Sequence, residues 1–352
     1  FMQQDLTQGS IRGGLIRFSL PLIAGNLLQQ FYNIADTLIV GRFLGNVALA
    51  AVGSAFSLMV LLTSLVLGLC MGSGVVFSQL YGEGSRERLK TAIANAFVFI
   101  AILSLALTAA SYALLNAFLS LLRVPQEAIP DITAYLSVFF TFLYNFFAAV
   151  LRSVGNSLAP LLFLLVSTVV NIVLDLVFVL VFKWGVSGAA WATVIAQILS
   201  ALGIGLYFLL RLPELRPKRE NIRFSKPLLS RIASVSVLTS VQQSIMNFGI
   251  LMIQSLVNSF GIATMAAFAA GVKIDSFAYS PAQDFANGFA TFVAQNSGAG
   301  KPDRVRQGIR EAALLSLGFC AVVSALVFVF ARPLLTIFID PGESAILDIG
   351  VH

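Results

Sequence analysis

Residues 15–41, LIRFSLPLIAGNLLQQFYNIADTLIVG, are long and apolar enough to cross a bilayer as a helix. The same stretch carries Asn26, Gln29, Gln30, Asn33, Asp36 and Thr37, stepping forward by threes and fours. On a helix of 3.6 residues per turn these fall on one face while Leu and Ile cover the rest. One face therefore meets lipid and the other does not. A static seam between helices would account for the amides. An aspartate inside a span is costly, however, and marks an ion or substrate path.

The rest of the chain has the same character. Hydrophobic residues make up 58% and charged residues 11%, with a mean hydropathy of +0.91, which excludes an ordinary soluble domain. Nine apolar runs reach the length of a span: 17–40, 52–77, 92–119, 131–151, 159–182, 187–210, 229–258, 264–293 and 309–338. The alternation of a membrane β-barrel is absent. The first run is too long and polar for a cleaved signal peptide. Cys70 and Cys320 lie in separate apolar runs without metal-ligand spacing, and the single histidine is His352. That leaves no zinc site and no Ser/His/Asp triad, so neither an enzyme nor a cofactor is expected.

The net charge of +6 reads as an orientation device rather than a nucleic-acid surface. With a cytoplasmic N-terminus, one side carries Arg12, Arg17, Arg86, Arg88, Lys90, Arg152, the basic residues of 211–231 and those of 301–310. The other side holds Arg42, Arg123, Lys183 and Arg332. This asymmetry is the positive-inside pattern of a multi-pass plasma-membrane protein.

The chain also repeats. QLYGEGSRERLKTAI from Gln79 matches QNSGAGKPDRVRQGI from Gln295 at an offset of 216, which also lays Leu49-Ala50-Ala51 on Met265-Ala266-Ala267 and Pro125 on Pro341. Two parallel six-helix repeats are implied: an N-terminal lobe over 1–211, a polar linker over 212–228 and a C-terminal lobe over 229–352. His352 corresponds to Leu136, so the second lobe stops near the start of a tenth helix. An intact chain longer by about 80 residues is expected.

In the fifth helix Ser167, Asn171 and Asp175 recur every four residues on one face. Counted from the outer ends of their helices, Asp36, Asp175 and Thr193 fall in one band, about 7–12 Å deep. Two carboxylates, an amide oxygen and a hydroxyl form an all-oxygen set, suited to a hard cation or a shared proton. Like charges in a dry site require one or the other. Pro21 is placed to bend the first helix, whose polar network includes Gln29 and Asn33. Helix seven offers Gln243 and Asn247, with Met252 where Asp36 has its counterpart. Helix eight brings Lys273, Asp275 and Asp284 around Pro281. These five polar residues form a candidate substrate path, with Lys273 a counter-ion or a substrate contact and Asp275 or Asp284 its partner.

The segments QQFYNIADTLIVGRFLG, ALAAVG, GVVFSQLYGEGS, NIVLD, AAFAAGVKIDSFAYSPAQ and VAQNSGAG resemble the MATE family, the multidrug and toxic compound extrusion transporters. The resemblance implies an all-α, twelve-helix, two-lobed fold and export by alternating access, driven by inward proton or sodium flow. It implies a coupling site at Asp36, Asn171, Asp175 and Thr193, with any sodium held at the first three. It associates Pro21 and Tyr32 with bending and hydrogen bonding of helix one. Small amphiphilic, cationic substrates and a monomer are expected. A flippase for lipid-linked precursors is the alternative.

Overall fold

The computed structural model describes residues 4–44, 46–122, 132–337, 339 and 341–351. Within its helices, the side chains at 36–38, 40–42, 44, 46–62, 111–122, 132–137, 250, 251, 254, 255, 258, 262 and 269 lie outside the description. All regular structure among the described residues is helical. The ten α-helices are α1 (Ile11–Leu44), α2 (Asn46–Gly82), α3 (Arg86–Leu122), α4 (Ile132–Ser153), α5 (Leu158–Leu176), α6 (Gly185–Arg211), α7 (Lys226–Asn258), α8 (Ile262–Gly298), α9 (Pro302–Leu335) and α10 (Ser344–Val351).

Local chemistry sets several of the boundaries. Ser10 Oγ accepts from Gly13 N–H at 3.3 Å and caps the start of α1. Pro302 opens α9, where its missing N–H costs nothing. α2 and α8 end alike: Gly84 and Gly300 adopt φ of +72° and +67°, and the residue after each bonds back to Leu80 O at 3.2 Å or Asn296 O at 2.9 Å. α1 continues as one helix through Pro21, whose missing N–H leaves the Arg17 carbonyl without its usual helical partner. α7 begins at Lys226, within the expected linker. That linker folds into two short 3-10 turns on α3, where Asn221 donates to Glu87 at 2.9 Å and Asn95 donates to Arg223 O at 3.0 Å.

Five described segments have the length and composition of a membrane span: 63–82, 86–110, 158–181, 185–211 and 302–335. The polar faces of α1, α7 and α8 lower their mean hydropathy, although at 33–37 residues each is about 50 Å long. Large apolar side chains stand exposed along α5, α6 and α9, among them Val169, Leu202, Leu317 and Phe328. A bilayer would cover them.

Among the contacts that join the first six helices to the rest, those of α2 with α7 and with α8 and of α1 with α8 are the largest. Along α2 and α7, the Ser73 and Ser236 hydroxyls meet at 3.0 Å and Ser240 Oγ donates to Leu65 O at 2.6 Å. A Cβ on Gly68 or Gly72 would strike the backbone of Ser240 or Ser236. Small residues let helices approach closely where lipid offers no hydrophobic drive. Along α1 and α8, Gly288 lies against Ser19 and Leu22, and the rings of Phe31 and Phe277 meet at 5.8 Å. The main core lies within α2, α3, α4 and α6, around Phe77, Phe97, Phe142, Phe146 and Phe208.

One end of the bundle gathers the basic loops, and there the two parts of the chain meet reciprocally. Gly82 leaves no room for a Cβ against the Gln295 carbonyl, nor Gly298 against that of Gln79. Residues 4–9 cross this end as a strap with a turn at 6–7. Gln4 N–H donates to Gly155 O at 3.2 Å, Leu6 is buried among Leu15, Phe18 and Phe292, and Arg304 donates to the carbonyls of Leu6, Gln8 and Gly9.

Candidate functional site

The polar stripe of α5 faces α6, whose small residues Ala189, Ala192 and Ala196 are buried and allow close approach. Ser167 Oγ donates to Ala196 O at 2.9 Å. One turn on, Asn171 Nδ2 donates to Thr193 Oγ1 at 3.3 Å. A further turn places Asp175, which is 0% exposed. From α1, the Tyr32 hydroxyl lies 3.2 Å from the same Thr193 oxygen.

Thr193 spends its own proton on Ala189 O at 3.1 Å. A hydroxyl has one proton and two lone pairs, so Tyr32 and Asn171 must both donate to Thr193. Its oxygen is then saturated, and Thr193 acts here as the anchor that orients the other two. The amide of Asn171, with its nitrogen committed, turns Oδ1 the other way, where it is sealed from solvent and has no partner among the described residues. Asn171 Oδ1 and the Asp175 carboxylate are thus buried oxygens one turn apart on one helix. Asp36 lies on α1 four residues past Tyr32, and its side chain lies outside the described residues.

Just beyond Asp175 the helix widens into a π-helical turn, Val177–Val181. Such turns recur beside functional sites, and nothing in the apolar run VFVLV signals one. Phe178 and Phe182 pack on Trp184, with centroids at 4.9 and 5.4 Å.

The other polar residues are more scattered. Gln29 and Asn33 are exposed. Gln243 Nε2 contacts Met71 Sδ at 3.8 Å, and Asn247 is half-buried. Lys273 and Asp275 are exposed. Asp284 sits 11 residues beyond Lys273, about 16 Å along the helix. The cation acting on Asp284 is Arg152 of α4, and Asn26 of α1 and Asn287 bring their amides to its carboxylate. Arg152 was not foreseen from sequence, because it reads simply as a basic residue at a helix end.

Long apolar helices enclosing a sealed carboxylate and amide define a multi-pass membrane protein with a polar interior, the build of a transporter. The MatE family model matches residues 21–177 and 238–352, and the chain belongs to that family of transporters, which are not enzymes. It is 30% identical over 352 residues to the "Probable multidrug resistance protein YpnP" of Bacillus subtilis, covering 97% of this chain and 77% of that one. It is 26% identical over 342 residues to the "Probable multidrug resistance protein NorM" of Thermotoga maritima, covering 93% and 72%. Among solved structures, a multidrug resistance MATE family transporter in an outward-facing conformation superposes with a TM-score of 0.91. That structure is 20% identical and is matched over 100% of this chain and 79% of its own.

Proposed function

We propose that this chain is a secondary exporter of drugs or other amphiphilic organic compounds, cationic ones foremost. Two lobes, 1–211 and 229–352, joined by the segment 212–228, would rock about a central cavity. The observation that carries the reading is the sealed pair on α5: a fully buried Asp175 with the bare amide oxygen of Asn171 one turn away. A carboxylate so placed has to be neutralised by a proton or matched by a cation. Asp36, Asn171 and Asp175 are the residues proposed to take up that proton or sodium ion, with Thr193 and Tyr32 holding the geometry. Uptake from outside repacks α1, for which Pro21, Gln29 and Asn33 supply the bend and the polar face. Substrate then leaves along a path that includes Gln243, Asn247, Lys273 and Asp275.

Several features support the arrangement. The multidrug resistance names of the relatives favour drug export. The reciprocal contacts of Gly82 with Gln295 and Gly298 with Gln79, at the offset of 216, favour two parallel repeats of a twelve-helix fold. The basic end is the cytoplasmic one by the positive-inside rule, and its closure corresponds to an outward-facing state of a monomer. The drive suffices, since one charge crossing 100 mV yields about 2.3 kcal/mol.

The test is export of ethidium from proteoliposomes under separately imposed proton and sodium gradients, comparing wild type, Asp36→Asn and Asp175→Asn. One gradient should accelerate export in wild type and neither in the variants. Export indifferent to both gradients, or variants equal to wild type, would sink the proposal.

A further inference from the structure

Two repeat-related seams between the proposed lobes, α2 with α7 and α8 with α1, differ at one matched position. Across α2 and α7, Gly68 lies against the backbone of Ser240. At the offset of 216, the counterpart of Gly68 on α8 is Asp284. The second seam therefore carries an acid where the first has the backbones in close contact.

That acid is built in. Asp284 Oδ2, Arg152 Nε and Ser19 Oγ are sealed from solvent without a hydrogen-bond partner among the described residues. Asn26 and Asn287 reach the carboxylate, and among the described side chains of the helices around α8 the charged group that acts on it is Arg152. A buried carboxylate with one oxygen unpartnered costs stability in a purely structural seam.

Its depth gives it a use. Asp284 lies 14 residues from the end of α8 and Asn26 lies 15 from the start of α1, each about 21–22 Å in. This is near the middle of the chain's passage. Toward the basic end the seam is shut, with Gly288 on Ser19 and Leu6 buried beyond it. Toward the other end the packing loosens: Phe31 and Tyr279 are 60% and 48% exposed, and Phe31 meets Phe277 at 5.8 Å. Asp284 stands where the tight half meets the looser half. Parting of α1 from α8 at the basic end would turn it from one water phase to the other.

We propose that Asp284 is a second proton-binding group of the transport cycle, separate from the carboxylates of α1 and α5. Its carboxylate takes a proton from water on the looser side and returns it to water on the other. The guanidinium of Arg152 offsets the charge whenever the proton is absent. The idea rests on the rocking-lobe reading proposed above.

The experiment is pH-difference infrared spectroscopy of the transporter in lipid, following the C=O band of protonated carboxyls from acid to alkaline pH. Wild type should show a titrating component that disappears in Asp284→Asn and persists in Asp284→Glu. A wild-type-like spectrum for Asp284→Asn, or a component at this site that does not titrate, overturns the proposal. If Asp284→Asn is not recovered folded, Asp284→Glu against Asp284→Gln gives the same comparison at one side-chain length. Asp175→Asn serves as the separating arm. Loss of a signal with Asp284→Asn but not with Asp175→Asn would keep this inference and remove the first-lobe coupling site.

Discussion

Thr193 shows how much one hydroxyl can organise. It accepts from Tyr32 and Asn171 and donates to Ala189 O, so Thr193→Val removes the acceptor that both groups share. A loss of about 1–3 kcal/mol follows, against about 0.5–1.5 for Tyr32→Phe, which removes one donor from a group that keeps another. Unfolding midpoints in detergent should rank wild type, Tyr32→Phe, Thr193→Val; a Thr193→Val midpoint equal to wild type would deny the anchor role. In the strap, Asp5 holds the turn by accepting from Thr7 N–H at 2.9 Å, Thr7 Oγ1 at 2.7 Å and Gln8 Nε2 at 2.8 Å. Partial burial alone would raise the Asp5 pKa. The hydrogen bonds from Thr7 and Gln8, with the charge of Lys301, together outweigh it and set the pKa below the ordinary 3.8. A group lowered on folding stabilises above its unfolded pKa, and that contribution fades as pH falls through the folded value. Hydrogen exchange of residues 5–9, corrected for its intrinsic rate, should therefore be pH-independent from neutrality to about pH 4. Protection should fall below that in wild type but not in Asp5→Asn.

At the level of helices, contact between α2 and α7 depends on absent side chains. Gly72→Ala forces a Cβ into the backbone of Ser236, whereas the same change at Gly249, on α7, meets nothing within 4 Å. Overpacking costs about 1–3 kcal/mol, while an unobstructed helical Gly→Ala is neutral or gains up to about 1 kcal/mol. Thermal unfolding of the two variants should move in opposite directions or differ by that gap. A matched pair of midpoints would mean that the seam is loose. This contact also marks where sequence reading stops. Apolar runs located the helices, but only to within a turn or more. α3 starts at Arg86 rather than near 92, because a helix already paid for by packing continues past the lipid boundary. The stripe of Ser167, Asn171 and Asp175 was legible from its spacing of four, since one helix's periodicity needs no partner. The influence of Arg152 on Asp284 was not. Which helix lies opposite is a long-range fact, and along α8 itself the cation on offer is Lys273. Likewise Thr193 looked like a ligand by composition, and only the count of its lone pairs makes it an anchor.

For the molecule as a whole, the basic end behaves as a closed clasp whose halves mirror each other. Gly82 abuts the Gln295 carbonyl and Gly298 that of Gln79. Gln295 also donates to Ser153 O at 2.7 Å and accepts from Leu6 N–H at 3.3 Å, so one side chain ties the strap, α4 and α8 together. A side chain at either glycine is incompatible with the closed arrangement, yet costs nothing once the two parts of the chain separate there. Gly82→Val with Gly298→Val thus penalises one state selectively, by about 1–3 kcal/mol at each site. A differential of that size shifts a two-state ratio at least tenfold. Spin labels at Arg88 and Arg306, both exposed at this end, report the result in a background with Cys70 and Cys320 replaced by serine. Wild type should give a single short distance, and the double valine variant a second, longer population that grows at its expense. A distribution unchanged in the folded variant would show that the clasp does not open, and with it the rocking of two lobes would lose its basis.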